Sequence, residues 1–264
     1  MILRRITQHV KEQNWFAVGL DFLIVVIGVG AAMLGQQWIS NGQQRADMRV
    51  AEVAVQSDLL NNYSNAKERL SVADCRVQAY QAIAAQLLES GETWTGMPWV
   101  NESEDVRREL PHLLRAPTRN WGSRHWEAGL ARGTFDQMEE EQRSRLDSTF
   151  QTAEAAQEFQ QDIYTLQGQM KTLAVTTTIG QSDRLRYYDM LGELDAKSGL
   201  LEHISSQIIE SIETQNIVLS DADIQSGLEY IAEFNERARE VYGECHVPIE
   251  WAFFDRKTTT ETAP

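Results

Sequence analysis

The feature that most constrains this chain is an apolar run near its N-terminus. The 21 residues from Trp15 to Gly35 carry one ionisable side chain, Asp21. As a helix rising about 1.5 Å per residue, this run is about 31 Å long, the hydrocarbon thickness of a bilayer. Trp15 and Trp38 flank it, at positions typical of interfacial aromatic side chains. The run predicts a transmembrane helix over residues 15–39, surrounded by lipid.

A cleavable signal peptide would begin in a similar way. Basic residues precede the run, and the small residues Gly30 and Ala32 offer a cleavage point. Because the apolar stretch continues past them to a closing Trp38, an uncleaved anchor is favoured. Three basic residues before the run against two shortly after it favour a cytoplasmic N-terminus over residues 1–14. The acidic remainder suits a translocated domain.

The first part of the chain has a distinctive order of residues. It reads Leu3-Arg4-Arg5, His9-Val10-Lys11, Gln13-Asn14-Trp15, Ala17-Val18, Leu20-Asp21-Phe22 and Ile24-Val25-Val26-Ile27-Gly28-Val29. This order resembles a family of uncharacterised single-pass proteins of bacterial inner membranes, although Gly35-Gln36-Gln37-Trp38 lacks the Asn that the family has before its Trp. A weaker similarity is Trp126-Glu127-Ala128 followed by Gly133. The resemblance implies an inner-membrane anchor and an extracytoplasmic helical domain, and it implies no activity.

One face of the anchor helix carries small side chains and one carboxylate. Helical spacing places five residues on this face: Asp21, Gly28, Ala31, Ala32 and Gly35. Small residues four apart let a second helix approach closely, and a carboxylate inside a membrane favours a polar partner or the interface. We therefore predict a helix contact in the membrane, with a second copy or another membrane protein. The alternative is that these small residues reflect only the ordinary composition of membrane helices.

The rest of the chain has helical periodicity. A heptad seam runs through Leu59, Tyr63, Ala66, Leu70, Ala73, Val77, Tyr80, Ala84 and Leu87, packing within the chain or between chains. Further periodic runs follow a capping-box-like Thr134-Phe135-Asp136-Gln137, then Ser182, then Ser220. These patterns predict an all-α fold, in which an elongated antiparallel bundle of about four long helices and short connecting helices spans residues 40–257. Residues 258–264 are predicted to be a disordered tail.

The connection over residues 91–133 is rich in tryptophan and arginine. Clustered indole and guanidinium groups are typical of binding hot spots. The candidate contacts for a partner or ligand are Trp94, Trp99, Arg119, Trp121, Arg124 and Trp126. The alternative is structural: the tryptophans cap the open end of the bundle and the arginines pair with its excess of acidic residues.

No catalytic motif emerges from the sequence. The histidines are scattered without zinc-ligand spacing, and the glycines form no phosphate-binding loop. The net charge of −15 argues against nucleic-acid binding, because phosphate contacts need a basic surface. We therefore expect no catalysis and no cofactor. The favoured function is a membrane-anchored periplasmic scaffold or accessory subunit, and the alternative is a ligand-sensing periplasmic domain that signals through a partner's membrane helix.

The chain has two cysteines, Cys75 and Cys245. An even count in a translocated domain predicts a disulfide, because the periplasm oxidises such pairs. Long stacked helices would leave the two residues about 20 Å apart unless the connections absorb the difference. The alternative is two buried free thiols in a cytoplasmic domain.

Overall fold

The chain is all-α, as its periodicity predicts. The computed structural model describes residues 15–89, 91–97, 114, 117–214 and 221–250. Helix accounts for 82% of the structure, with almost no strand. The chain divides into two compact units, Met1–Glu52 and Val53–Pro264, so the division falls beyond the predicted end of the membrane segment.

The described helices follow one another along the chain, with the longest connection between the second and the third. They are α1 (Trp15–Ser71), α2 (Ala73–Leu88), α3 (Arg124–Ala131), α4 (Glu140–Gln169), α5 (Gln181–Glu213) and α6 (Asp221–Tyr242). Short 3₁₀ turns cover Lys171–Ala174 and Gly243–Cys245. Two strands of two residues each, β1 (Thr93–Trp94) and β2 (Thr177–Thr178), pair antiparallel.

The described part of the first unit is the N-terminal portion of α1. Its large apolar side chains between Leu20 and Ile39 are exposed, several by more than 60% of their surface. A helix that is long and apolar enough to cross a membrane is therefore present near the N-terminus. Apolar side chains at this density are unfavourable in water and favourable in lipid.

In the second unit, α5 packs antiparallel to two neighbours. Tyr80 contacts Ser198 and Tyr63 contacts Glu213, so residue numbers fall along α5 as they rise along α1 and α2. The same holds against α4, where Thr149 contacts Ser211 and Asp162 contacts Lys197. These pairings place α5 between the α1–α2 run and α4.

The C-terminal part of α1 is buried on most of its circumference. Leu59, Tyr63 and Ala66 of the heptad seam are at most 2% exposed, and amide and charged residues on other faces of α1 are also buried. The seam continues into α2 with buried Tyr80 and Leu87, whereas Val77 is 38% exposed. Among the described residues, the seam therefore packs within the chain.

Two local expectations differ from the structure. Helix α4 begins at Glu140 rather than at the capping-box-like Thr134, because Gly133 adopts a positive φ of 67° and starts a series of turns. Helix α1 ends at Ser71 and α2 starts at Ala73, so the predicted first helix of the bundle is broken at Val72. Residues 1–14 and the tail over 258–264 lie outside the described residues.

Candidate functional site

A groove of about 1030 Å³ opens on the surface of the second unit. One wall is the last turn of α1 with Lys67, Leu70 and Ser71, and another is the C-terminal part of α5 from Ser206 to Thr214. The third wall is the extended segment 247–250. The floor is apolar and the rim carries several carboxylates, so the groove combines the two features of a protein-binding surface.

The third wall is held by the disulfide between Cys75 and Cys245, whose Cα atoms are 5.1 Å apart. Directly after it, the backbone N–H of Val247 donates to the Ser71 carbonyl oxygen at 2.8 Å, at the break between α1 and α2. The Asn235 side chain of α6 then accepts the Ile249 N–H at 2.9 Å and donates to the Ile249 carbonyl oxygen at 3.3 Å. The bond predicted from the cysteine count is therefore present, and it attaches this segment to α2.

Stacked helices were predicted to leave the two cysteines about 20 Å apart. The structure brings them together because the chain turns back after α5. Helix α5 begins beside Gln86, where Arg184 donates to the Gln86 carbonyl oxygen, and ends beside Tyr63. Helix α5 therefore extends past Cys75. Helix α6 then returns the chain to Cys75, and Cys245 follows the end of α6.

A buried carboxylate on α1 joins three parts of the chain. The Glu68 side chain is fully buried, accepts a hydrogen bond from the Tyr230 hydroxyl of α6, and lies 2.9 Å from the Arg119 Nε. Burial raises the pKa of the Glu68 carboxyl above its ordinary value of 4.5, although Tyr230 and Arg119 oppose the rise. Burial and the bond to Glu68 raise the pKa of Tyr230 to about 12.

The next residue along α1 is a buried arginine. Arg69 is 3% exposed, and its Nε and Nη2 atoms have no hydrogen-bond partner among the described residues. Burial is the largest influence on this guanidinium and lowers its pKa, with Tyr80 and Glu202 opposing. Glu202 is already engaged by both Nε and Nη2 of Arg76, at 2.6 and 3.0 Å.

The segment after residue 116 threads between α1 and α4. The Asn62 side chain accepts the Gly122 N–H at 2.7 Å and donates to the Gly122 carbonyl oxygen at 2.8 Å. From the other side, the Gln160 amide donates to the Arg119 carbonyl oxygen at 2.6 Å, and Gln157 accepts the Trp121 N–H at 3.1 Å. These side-chain amides replace the backbone partners that an extended segment between helices lacks.

The three tryptophans of this connection that the structure describes belong to the core. Trp94 is fully buried and donates through Nε1 to the Leu173 carbonyl oxygen at 3.0 Å. Trp126 is 2% exposed and stacks on Phe135 and Phe150 with ring centroids 4.9 and 5.6 Å away. Trp121 is 7% exposed. A partner cannot reach these three indoles in the folded chain.

The two candidate arginines of the connection lie in different environments. Arg119 pairs with Glu68, while Arg124 is exposed at the start of α3. Trp99 lies outside the described residues. Sequence reasoning missed the groove, because its α1 wall is more than 130 residues away from the other two walls along the chain and no local motif marks it.

The predicted contact face of the anchor is open in this chain. A Cβ built on Gly28 or Gly35 would meet nothing within 4 Å, and Ala31 and Ala32 are exposed. The backbone of Asp21 is helical, and its side chain lies outside the described part.

Metal ligation finds no support in the described part of the chain, where no group of three His, Cys, Asp or Glu side chains could hold an ion. His246 follows the disulfide and packs edge-on against Phe234, with ring centroids 6.1 Å apart. Burial lowers the pKa of His246, with the charge of Arg239 acting in the same direction.

Comparisons of the chain with protein-family models, curated proteins and solved structures find no match.

Proposed function

We propose that this chain is a membrane-anchored interaction protein, a scaffold or accessory subunit whose helical bundle lies on the periplasmic side of a bacterial inner membrane. The observation that carries the proposal is the combination of an exposed apolar helix near the N-terminus with a disulfide in the second unit. The first feature suits lipid, and the second suits an oxidising compartment.

Binding, rather than catalysis, is the proposed activity. Asp58 and Glu68, buried on α1, contact other parts of the chain, and the described residues also form an exposed groove with an apolar floor. Such a surface suits a macromolecular partner. A sensing role through a partner's membrane helix is the second candidate, supported by the open Gly28 and Gly35 face of the anchor.

Membrane insertion and sidedness are tested together in cells expressing the full chain. We expect the protein to remain in carbonate-washed membranes, and protease added to spheroplasts to degrade the second unit. A thiol-blocking reagent added at lysis should leave Cys75 and Cys245 unmodified, and both should become reactive after reduction. A matched control replaces Ile24, Ile27 and Val29 by Asp, which should release the protein from the membrane. Protease protection combined with two free thiols would overturn the proposal.

Association through the anchor is tested separately in a membrane two-hybrid assay. Replacing Gly28 and Gly35 by Leu should weaken the self-association signal or the recovery of a membrane partner, because larger side chains prevent close helix approach. Replacing Val25 and Val29 by Leu is the control, since it changes bulk without altering the small residues. An unchanged signal in both readouts would remove helix contact from the proposal.

A further inference from the structure

The rim of the groove carries exposed carboxylates. Glu210 and Glu250 are exposed, and neither forms an ion pair with a residue in the described ranges. The ammonium of Lys67 does not offset them, because it lies 3.5 Å from Glu213 and is shared with that carboxylate. The rim therefore attracts positive charge.

The floor of the same groove is apolar. Leu70 of α1 and Ile209 of α5 face it, and Val247 on the third wall is 56% exposed. An aliphatic side chain left this open gains by contact with another apolar group. The groove thus offers apolar contact at its centre and negative charge at its edge.

The walls are held in place before any partner arrives. Two are helical, and the third is attached at three points: the Cys75–Cys245 disulfide, the Val247–Ser71 hydrogen bond and the Asn235 side chain. A surface that does not have to be ordered on binding loses less entropy when a ligand occupies it.

We propose that this groove binds a peptide segment of a partner protein in which apolar side chains are flanked by lysine or arginine. The inference rests on the proposed function and names the chemistry of its partner. Charge complementarity selects this occupant, because basic side chains meet Glu210 and Glu250 while the apolar ones contact Ile209 and Val247. A second copy is a poorer match, because each copy carries a net charge of −15.

The test uses the full chain, oxidised and in neutral detergent, with a fluorescent peptide as the probe. The peptide reads Lys-Lys-Leu-Phe-Val-Leu-Lys-Lys, and two comparison peptides replace its lysines by Glu or its apolar residues by Ser. We expect the lysine peptide to bind and both comparison peptides to bind at least tenfold more weakly.

Protein variants then locate the peptide. The double variant Glu210→Lys, Glu250→Lys should lose at least tenfold in affinity, and Ile209→Gln at least fivefold. The control Glu154→Lys, Glu158→Lys makes the same change in net charge on exposed positions of α4 and should lose less than twofold. Circular dichroism should show the same helix content in all variants, since the charged positions are exposed.

Three results would overturn the inference. An equal loss in both charge-reversal variants would mean that the acidic surface as a whole attracts the peptide. Binding that none of the variants alters would place the peptide elsewhere. Binding that requires removal of residues 251–264 would assign the groove to this chain itself. In each case the membrane and protease experiments report independently on the proposed function.

Discussion

Charged and amide side chains of α1 are buried where a helix surface would ordinarily meet solvent. Asn62 and Glu68 are fully buried, and Arg69 is 3% exposed. Asn62 bonds the backbone of the threaded segment, and Glu68 accepts from Tyr230 of α6 and forms an ion pair with Arg119. For Arg69, within the part of the chain that the structure describes, neither an ion pair nor a hydrogen bond to its Nε or Nη2 is present.

The buried Arg69 guanidinium should lower the free energy of unfolding. Replacing a buried ionic group by an apolar side chain of similar volume is often stabilising, by about 1–4 kcal/mol. We expect Arg69→Met to raise the free energy of unfolding in urea by an amount in that range. Arg76→Met is the matched control and should lower it by about 3 kcal/mol, because Glu202 loses its bidentate partner. A loss of stability in Arg69→Met would show that the guanidinium is satisfied in solution.

Glu68 should make stability depend on pH. Burial raises the pKa of this carboxyl in the folded chain, so the folded state retains the proton to higher pH than the unfolded state. The resulting stabilisation is complete below the ordinary value of 4.5 and is lost as the pH rises through the raised value.

Glu68→Gln cannot ionise and should gain stability relative to the wild type as the pH rises. Urea midpoints measured from about pH 4.5 to about pH 7.5 would show the difference growing with pH. Glu158→Gln, at an exposed position on α4, should follow the wild-type curve. A constant difference between Glu68→Gln and the wild type would contradict the expected linkage.

At the scale of elements, the short helix α3 is positioned by contacts with residues outside it. Gly129 of α3 allows Phe135 to approach closely, and Phe135 in turn stacks on Trp126. Asp58 of α1 accepts the His125 N–H at 2.9 Å in the first turn of α3. This short helix is therefore oriented by a carboxylate from α1 and by an aromatic cluster beneath it.

Two alanine substitutions at helical glycines should have opposite effects. A Cβ on Gly129 would lie 2.1 Å from a ring carbon of Phe135, so Gly129→Ala should destabilise by about 1–3 kcal/mol through overpacking. A Cβ on Gly192 of α5 meets nothing within 4 Å, so Gly192→Ala should stabilise by about 1 kcal/mol through helix propensity. Thermal unfolding of both variants provides the comparison. Equal effects would mean that the Gly129 contact relaxes without cost.

At the scale of the whole molecule, one covalent bond joins residues separated by 170 positions. Its loop encloses most of α2 and all of α3, α4, α5 and α6. The bond thus restricts most of the second unit in the unfolded state, and in the folded state it attaches the third wall of the groove.

Removing the disulfide should therefore have a global and a local effect. Cys75→Ser with Cys245→Ser should lower the free energy of unfolding by up to about 5 kcal/mol in the chain-entropy model. Hydrogen exchange of the Val247 and Ile249 amides should accelerate more than that of amides within α4. Reduction of the wild type by a thiol is the control and should reproduce the variant. Unchanged exchange at both amides would show that Ser71 and Asn235 suffice to hold the segment.

Local patterns of the sequence were sufficient to predict the helical class, the apolar N-terminal helix and the pairing of the cysteines. Helical periodicity and apolar length are properties of neighbouring residues, and two cysteines allow one intramolecular pairing. The same patterns gave no information on which residues pack against each face of a helix. They did not show that α1 would break at Val72, or that β1 and β2 would pair.

The tertiary structure alone decided which side chains are available for binding. From the sequence, the tryptophans of the connection could be surface contacts or core residues. Their burial in the structure assigns Trp94, Trp121 and Trp126 to the core. The groove likewise forms only where the tertiary structure places segment 247–250 beside α1 and α5. Burial depends on contacts between residues far apart in the chain, such as Asn62 and Gly122, whereas periodicity records only the alternation of apolar and polar residues along one helix.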